Sequence, residues 1–193
     1  MMGLMLDRHG WLKPHGQVQC CPSPNYDKRP AGVDPTLLVL HNISLPPGQF
    51  GKKHIVDFFL NRLNCNQHPW FENIRNLKVS AHFLIDREGT ITQFVSTQHR
   101  AWHAGVSSFN GRQKCNDFSI GIELEGTDTQ PYTDEQYYAL KRLTQVIRAR
   151  HTLKAVRGHE HIAPGRKTDP GRAFKWHRYA REGQWLLRQL PHA

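Results

Sequence analysis

Two histidines and an aspartate on two separate segments of this chain form a ligand set suited to a catalytic zinc. His41 stands at the end of an apolar run, and His159 and Asp169 lie ten residues apart in GHEHIAPGRKTDPG (158–171). A catalytic zinc takes three protein ligands and leaves a fourth position to water, whose pKa it lowers to about 7. Hydrolysis then needs a base for that water and a cation or dipole for the developing oxyanion. Lys167 precedes Asp169 by two residues. In an extended segment residues two apart point to the same side, so both can face one cavity. Glu123, on the polar side of an alternating segment, is a candidate base. Rivals stand close by: Glu125 shares the face of Glu123, while His103, Glu160 and His161 could also ligate a metal. Arg166 and Lys167 could equally be plain surface cations. HEH is not the helical HExxH zinc motif, which needs histidines four apart.

The flanking elements can be read from periodicity. TLLVLHNI (36–43) predicts a buried strand, stopped at once by SLPPGQFG, which continues neither helix nor strand. KKHIVDFFLNRL (52–63) predicts a helix with Ile55, Phe58, Phe59 and Leu63 on one face. SAHFLI (80–85) and TITQFV (90–95) predict a hairpin turning at Gly89. In FSIGIELEG (118–126), Ile120, Ile122 and Leu124 face one way and Ser119, Gly121, Glu123 and Glu125 the other. PYTDEQYYALKRLTQVIRAR (131–150) predicts a helix with a Thr133–Gln136 capping box, and a last helix is predicted over about 173–190. Residues 1–35 read as an irregular lead-in. Strands alternating with helices predict a single α/β domain over 1–193.

Composition narrows the partners. The 193 residues carry 26 Lys and Arg against 16 Asp and Glu, a net charge of +10. That surplus favours anionic partners. The cations are scattered and no nucleic-acid recognition motif is present, which argues against DNA or RNA. No apolar run is long enough for a membrane span. Asp7, Arg8 and His9 interrupt the apolar core that an export signal needs. The four cysteines (20, 21, 65 and 115) form no CxxC pair and read as reduced thiols. The expected setting is the cytoplasm, and the expected state a monomer.

Five ordered stretches, VLHNISLPPGQFG, SAHFLIDREGTITQFV, RAWHAGVSSFNGR, CNDFSIGIELEGTDTQPYTDEQY and GHEHIAPGRKTDPG, resemble the zinc-dependent N-acetylmuramyl-L-alanine amidases, specifically the branch acting on 1,6-anhydro-muropeptides in cell-wall recycling. The likeness runs from Trp11 to Tyr179 and implies a mostly β central sheet flanked by helices, with its catalytic core at about 36–180. It implies zinc on His41, His159 and Asp169, Glu123 as proton acceptor and Lys167 as transition-state stabiliser. It also implies substrate contacts from Asn42, Lys78, Trp102 and Lys114. At Lys78 and Lys114 the family pattern has arginine, so the grip there would be that of a point charge rather than a planar fork. The implied partner is an anhydro-muropeptide whose anionic stem peptide suits the positive chain. Two alternatives are a lytic amidase on polymeric peptidoglycan and a non-catalytic muropeptide-binding module.

Overall fold

The computed structural model describes residues 3–191; the first two and last two residues of the span expected as one domain lie outside the described residues. In chain order the elements are β1 (Val18–Cys20), β2 (Tyr26–Lys28), β3 (Leu37–Ile43), α1 (His54–Phe59), β4 (Phe83–Ile85), β5 (Ile91–Gln93), β6 (His99–Ala101), β7 (Ser108–Phe109), β8 (Arg112–Gln113), β9 (Ser119–Glu125), α2 (Asp134–Arg150), β10 (Ala155–Gly158), α3 (His159–Ile162) and α4 (Trp176–Glu182). Six strands make one sheet in the order β1-β5-β4-β9-β3-β10. β4, β9, β3 and β10 run parallel, and β5 folds back antiparallel on β4 as the expected hairpin.

The alternation in β3 and β9 decides which side faces which layer. Leu38 and Leu40 pair in register with Ile120 and Ile122, and all four pack in one cluster against Tyr137, Leu140, Leu143 and Ile147 of α2. Each such side chain, fully buried, contributes about 1.5–3 kcal/mol. α2 carries the expected capping box, with the Gln136 N–H donating to Thr133 Oγ1 and Gln136 Oε1 accepting from the Thr133 N–H. The opposite face of the sheet meets two smaller apolar clusters. One is built on α1 with Phe71 and Phe94, the other on Ala104, Cys115 and Phe118 beside Leu37 and Val39. Glu123 and its neighbours on that face are therefore not a solvated edge: every residue of β9 is buried. A parallel sheet is covered on both sides, so its polar positions end up inside as well.

Three expectations change. Residues 1–35 are not an irregular lead-in: β1 adds a parallel strand beside β5, and β2 pairs antiparallel with β6. Leu4 and Leu12 enter the main cluster, and the Arg29 guanidinium donates to the carbonyls of Thr97, Asn116, Asp117 and Ser119. Burial lowers its pKa to about 10. The helix expected over 52–63 covers only His54–Phe59, with Asn61 in the left-handed region. The helix expected over 173–190 stops at Glu182, because Gln184 turns left-handed (φ +53°) and Trp185 folds back against Tyr179. Among the described residues no helix is long and apolar enough to cross a membrane.

Candidate active site

Three neighbouring parallel strands deliver the chemistry at their C-terminal ends, where open α/β sheets place their sites. The β3–β9 register sets His41 directly beside Glu123, on the face away from α2. β10 lies on the other side of β3 with Gly158 level with Leu40, so His159, the next residue, arrives beside His41. The loop after α3 then returns Asp169 to the same point. His41 Nδ1 is 3.0 Å from His159 Nδ1 and 3.0 Å from Asp169 Oδ2, and His159 Nδ1 is 3.1 Å from Asp169 Oδ2. These groups, with Glu123, Lys167 and Trp102, line one groove of about 360 Å³.

The donor triangle fits a zinc ion. Ligand atoms about 2.0–2.1 Å from one tetrahedral centre are separated by roughly 3.3 Å, close to the spacing found. Hydrogen bonds alone do not explain the convergence. The Ala104 carbonyl, 3.1 Å from His159 Nε2, can only accept, so the His159 proton sits on Nε2 and its Nδ1 presents a lone pair. Burial, together with the neighbouring His159, pushes the His41 imidazole down to about 4, leaving it neutral at neutral pH. Two imidazole nitrogens and a carboxylate oxygen converging on one point call for a cation.

Glu123 sits at 9% exposure, and among the described residues its buried Oε2 has no hydrogen-bond partner. Burial pushes its carboxyl well above the ordinary glutamate value; Asp169 adds to the rise and Lys167 opposes it. The arrangement holds a proton acceptor and an ammonium on one groove, beside the donor triangle.

The rivals are elsewhere. Glu125 accepts from the Gly51 and Arg87 N–H groups, His161 Nδ1 accepts from the Gly158 N–H, and His103 stands behind His41 rather than in the triangle. The Glu160 N–H donates to the Asp169 carbonyl, and burial with Asp128 and Asp169 raises its carboxyl to about 7. Arg166 donates to the Ala104 and Val106 carbonyls. Of the residues expected to touch substrate, Asn42 and Trp102 line the groove, and the buried Trp102 Nε1 is unpartnered among the described residues. Lys78 lines an adjoining cavity that shares Phe58, Ile74 and Leu77 with the groove. Lys114 is exposed on the turn before β9 and does not line the groove. Sequence reasoning missed the brace on the Asp169 loop. Asn42 Nδ2 donates to Asp128 Oδ1 (2.8 Å) and the Pro170 carbonyl (3.1 Å), and the Tyr132 hydroxyl donates to the same carbonyl (2.7 Å). Nothing in the residue types of Asp128 or Tyr132 signals that role.

Comparison with known proteins agrees with this geometry. The profile of the N-acetylmuramoyl-L-alanine amidase family matches residues 31–172. The chain is 54% identical over 177 residues to the 1,6-anhydro-N-acetylmuramyl-L-alanine amidase AmpD of Citrobacter freundii, covering 91% of this chain and 93% of that relative. A crystal structure of a selenomethionine AmpD derivative superposes with a TM-score of 0.88 at 51% identity, over 92% of this chain and 98% of that one. AmiD from Escherichia coli, in complex with the substrate anhydro-N-acetylmuramic acid-L-Ala-D-γ-Glu-L-Lys, superposes with a TM-score of 0.56 at 28% identity, over 94% of this chain and 66% of that one. With nearly three quarters of its length inside the family profile and its groove built on the ends of β3, β9 and β10, the chain belongs to the N-acetylmuramoyl-L-alanine amidase family.

Proposed function

We propose that this amidase hydrolyses the amide joining the lactyl group of 1,6-anhydro-N-acetylmuramic acid to L-alanine in muropeptides released during cell-wall recycling, with zinc held by His41, His159 and Asp169. The observation that carries the reading is the convergence of these three donors beside a buried, unpartnered carboxylate in one groove. The names of the AmpD relatives and the ligand in the AmiD complex supply the substrate class. When bound, zinc supplies Lewis acidity, making water at the site acidic near neutral pH and stabilising negative charge on oxygen. Glu123 accepts the proton of the attacking water and returns it to the leaving amine nitrogen of L-alanine. Its raised affinity for protons suits it to both halves of that transfer. Lys167 brings a positive charge to the same groove for the tetrahedral oxyanion. Trp102 lines the groove as an aromatic wall for the substrate, and Lys78, at the groove's continuation, meets a stem-peptide carboxylate. The four free cysteines suit a reducing cytoplasm.

The test is release of free stem peptide, followed by mass spectrometry, from 1,6-anhydro-muramyl tripeptide, from its non-anhydro counterpart and from polymeric peptidoglycan. The anhydro compound is expected to turn over fastest, and Lys167→Met to lower kcat by roughly 10²–10³ with KM little changed. Faster cleavage of the polymer would assign the chain to wall lysis instead. A zinc-loaded protein that binds muropeptide and releases nothing would make it a binding module.

A further inference from the structure

Both histidine donors of the triangle point Nδ1 inward, and the groups behind them determine why. Ser119 Oγ lies 2.6 Å from the Cys115 carbonyl, which can only accept, so the hydroxyl proton goes there. Ser119 Oγ, 3.1 Å from His103 Nε2, is then the acceptor for that nitrogen's N–H. A neutral ring that donates from Nε2 accepts at Nδ1, and His103 Nδ1 is 2.9 Å from His41 Nε2. The His41 proton is thus held on Nε2, and its Nδ1 lone pair is turned toward His159 and Asp169.

The next residue does the same for the second ligand, since the Ala104 carbonyl takes the His159 Nε2–H. This two-residue segment hangs from one buried atom: Asn116 Oδ1 accepts the N–H groups of both His103 (3.1 Å) and Ala104 (2.8 Å). Gly121 of β9 is the floor under the His103 ring, where a Cβ would stand 2.5 Å from Cγ. Ring, floor and suspension leave His103 one orientation.

We infer that His103 is a positioning residue which, through Ser119, locks His41 in the Nε2–H tautomer, while the adjoining Ala104 carbonyl locks His159, so that both present Nδ1 to the metal. Groups behind metal-bound histidines commonly set ring orientation and tautomer in this way, and their loss lowers metal affinity by about 10–100-fold. The inference rests on the proposed assignment of His41, His159 and Asp169 as the metal site.

The experiment reads the tautomer directly. Long-range ¹H–¹⁵N spectra of histidine-labelled, metal-free protein are recorded for the unaltered chain, His103→Leu, His103→Asn and Ser119→Ala, with zinc affinity measured by competition against a chromogenic chelator. The unaltered protein is expected to show His41 wholly as Nε2–H. His103→Leu should show a tautomer mixture and bind zinc about 10–100-fold more weakly. His103→Asn, whose amide oxygen stands near the position of Nδ1, should recover most of that loss. A folded His103→Leu with unchanged His41 signals and unchanged affinity overturns the inference. Should that variant not fold, Ser119→Ala decides: a partial tautomer shift with a roughly threefold to tenfold loss supports it, and no change in either overturns it. Failure of the metal assignment is distinguishable, since the unaltered protein would then take up no zinc with its tautomers in place.

Discussion

Glu123→Gln lowers kcat by about 10²–10⁴-fold, the usual contribution of a positioned general base, and at the same time stabilises the metal-free fold at neutral pH. The two effects share one cause. Glu123 is buried on the inner face of β9 with one oxygen unpartnered, beside Asp169. Its carboxyl pKa is raised on folding, so the folded state binds this proton more tightly than the unfolded chain. Stability is therefore full below the ordinary glutamate pKa and falls as pH rises from there through the raised value. Glutamine keeps the shape and carries no charge, so it escapes that loss. A gain of about 1 kcal/mol would raise the melting midpoint by roughly 2–4 °C for a chain of this size. The expected profile is a midpoint difference between variant and parent that is absent below the ordinary glutamate pKa and grows as pH rises. In the parent enzyme, activity climbs with pH as the carboxyl ionises, and the variant loses that rising limb. A glutamine variant that retains parental kcat would remove Glu123 from the chemistry.

Chelation abolishes hydrolysis, and zinc restores it. Metal analysis of His159→Ala is expected to show less than a tenth of the zinc held by the parent, since removing one of three protein ligands leaves an incomplete site. Zinc at about a thousand times its Kd stabilises the folded parent by about 4 kcal/mol, a midpoint rise of roughly 10 °C. In His159→Ala the same zinc addition moves the midpoint little. The metal-free parent stays folded, because β3, β9 and β10 are held by Leu38, Leu40, Ile120, Ile122 and Val156 against α2 rather than by the ligands. Thermal scans with and without zinc, beside metal analysis of both proteins, check this. Equal zinc content in parent and variant would mean that the triangle is not the metal site.

The hairpin at Asn110-Gly111 shows a local signal that went unread. Both residues have positive φ, the geometry of a tight hairpin turn joining β7 to β8, and Asn-Gly is a strong short-range sign of one. The lead-in is a different case. Its strands β1 and β2 are three residues each and mostly exposed, so their sequences carry almost no periodicity. They exist because β5 and β6 offer unpaired edges.

By itself the sequence determined the strands and helix with strong patterns: β3 and β9, whose alternation separates Leu38, Leu40, Ile120 and Ile122 from the opposite face, and α2 with its capping box. It also offered His41, Glu123, His159, Lys167 and Asp169 as candidates beside the rivals Glu125, His103, Glu160 and His161, and the likeness to the amidase family chose among them. Only the tertiary structure decided what was beyond local pattern. The parallel register set His41 level with Glu123, and cover on both faces of the sheet turned a polar strand face into a buried, proton-hungry carboxylate. The suspension of His103 and Ala104 from Asn116 set which nitrogen each imidazole offers. Register, burial and tautomer depend mainly on groups 12 or more residues apart along the chain, and no local window contains them all.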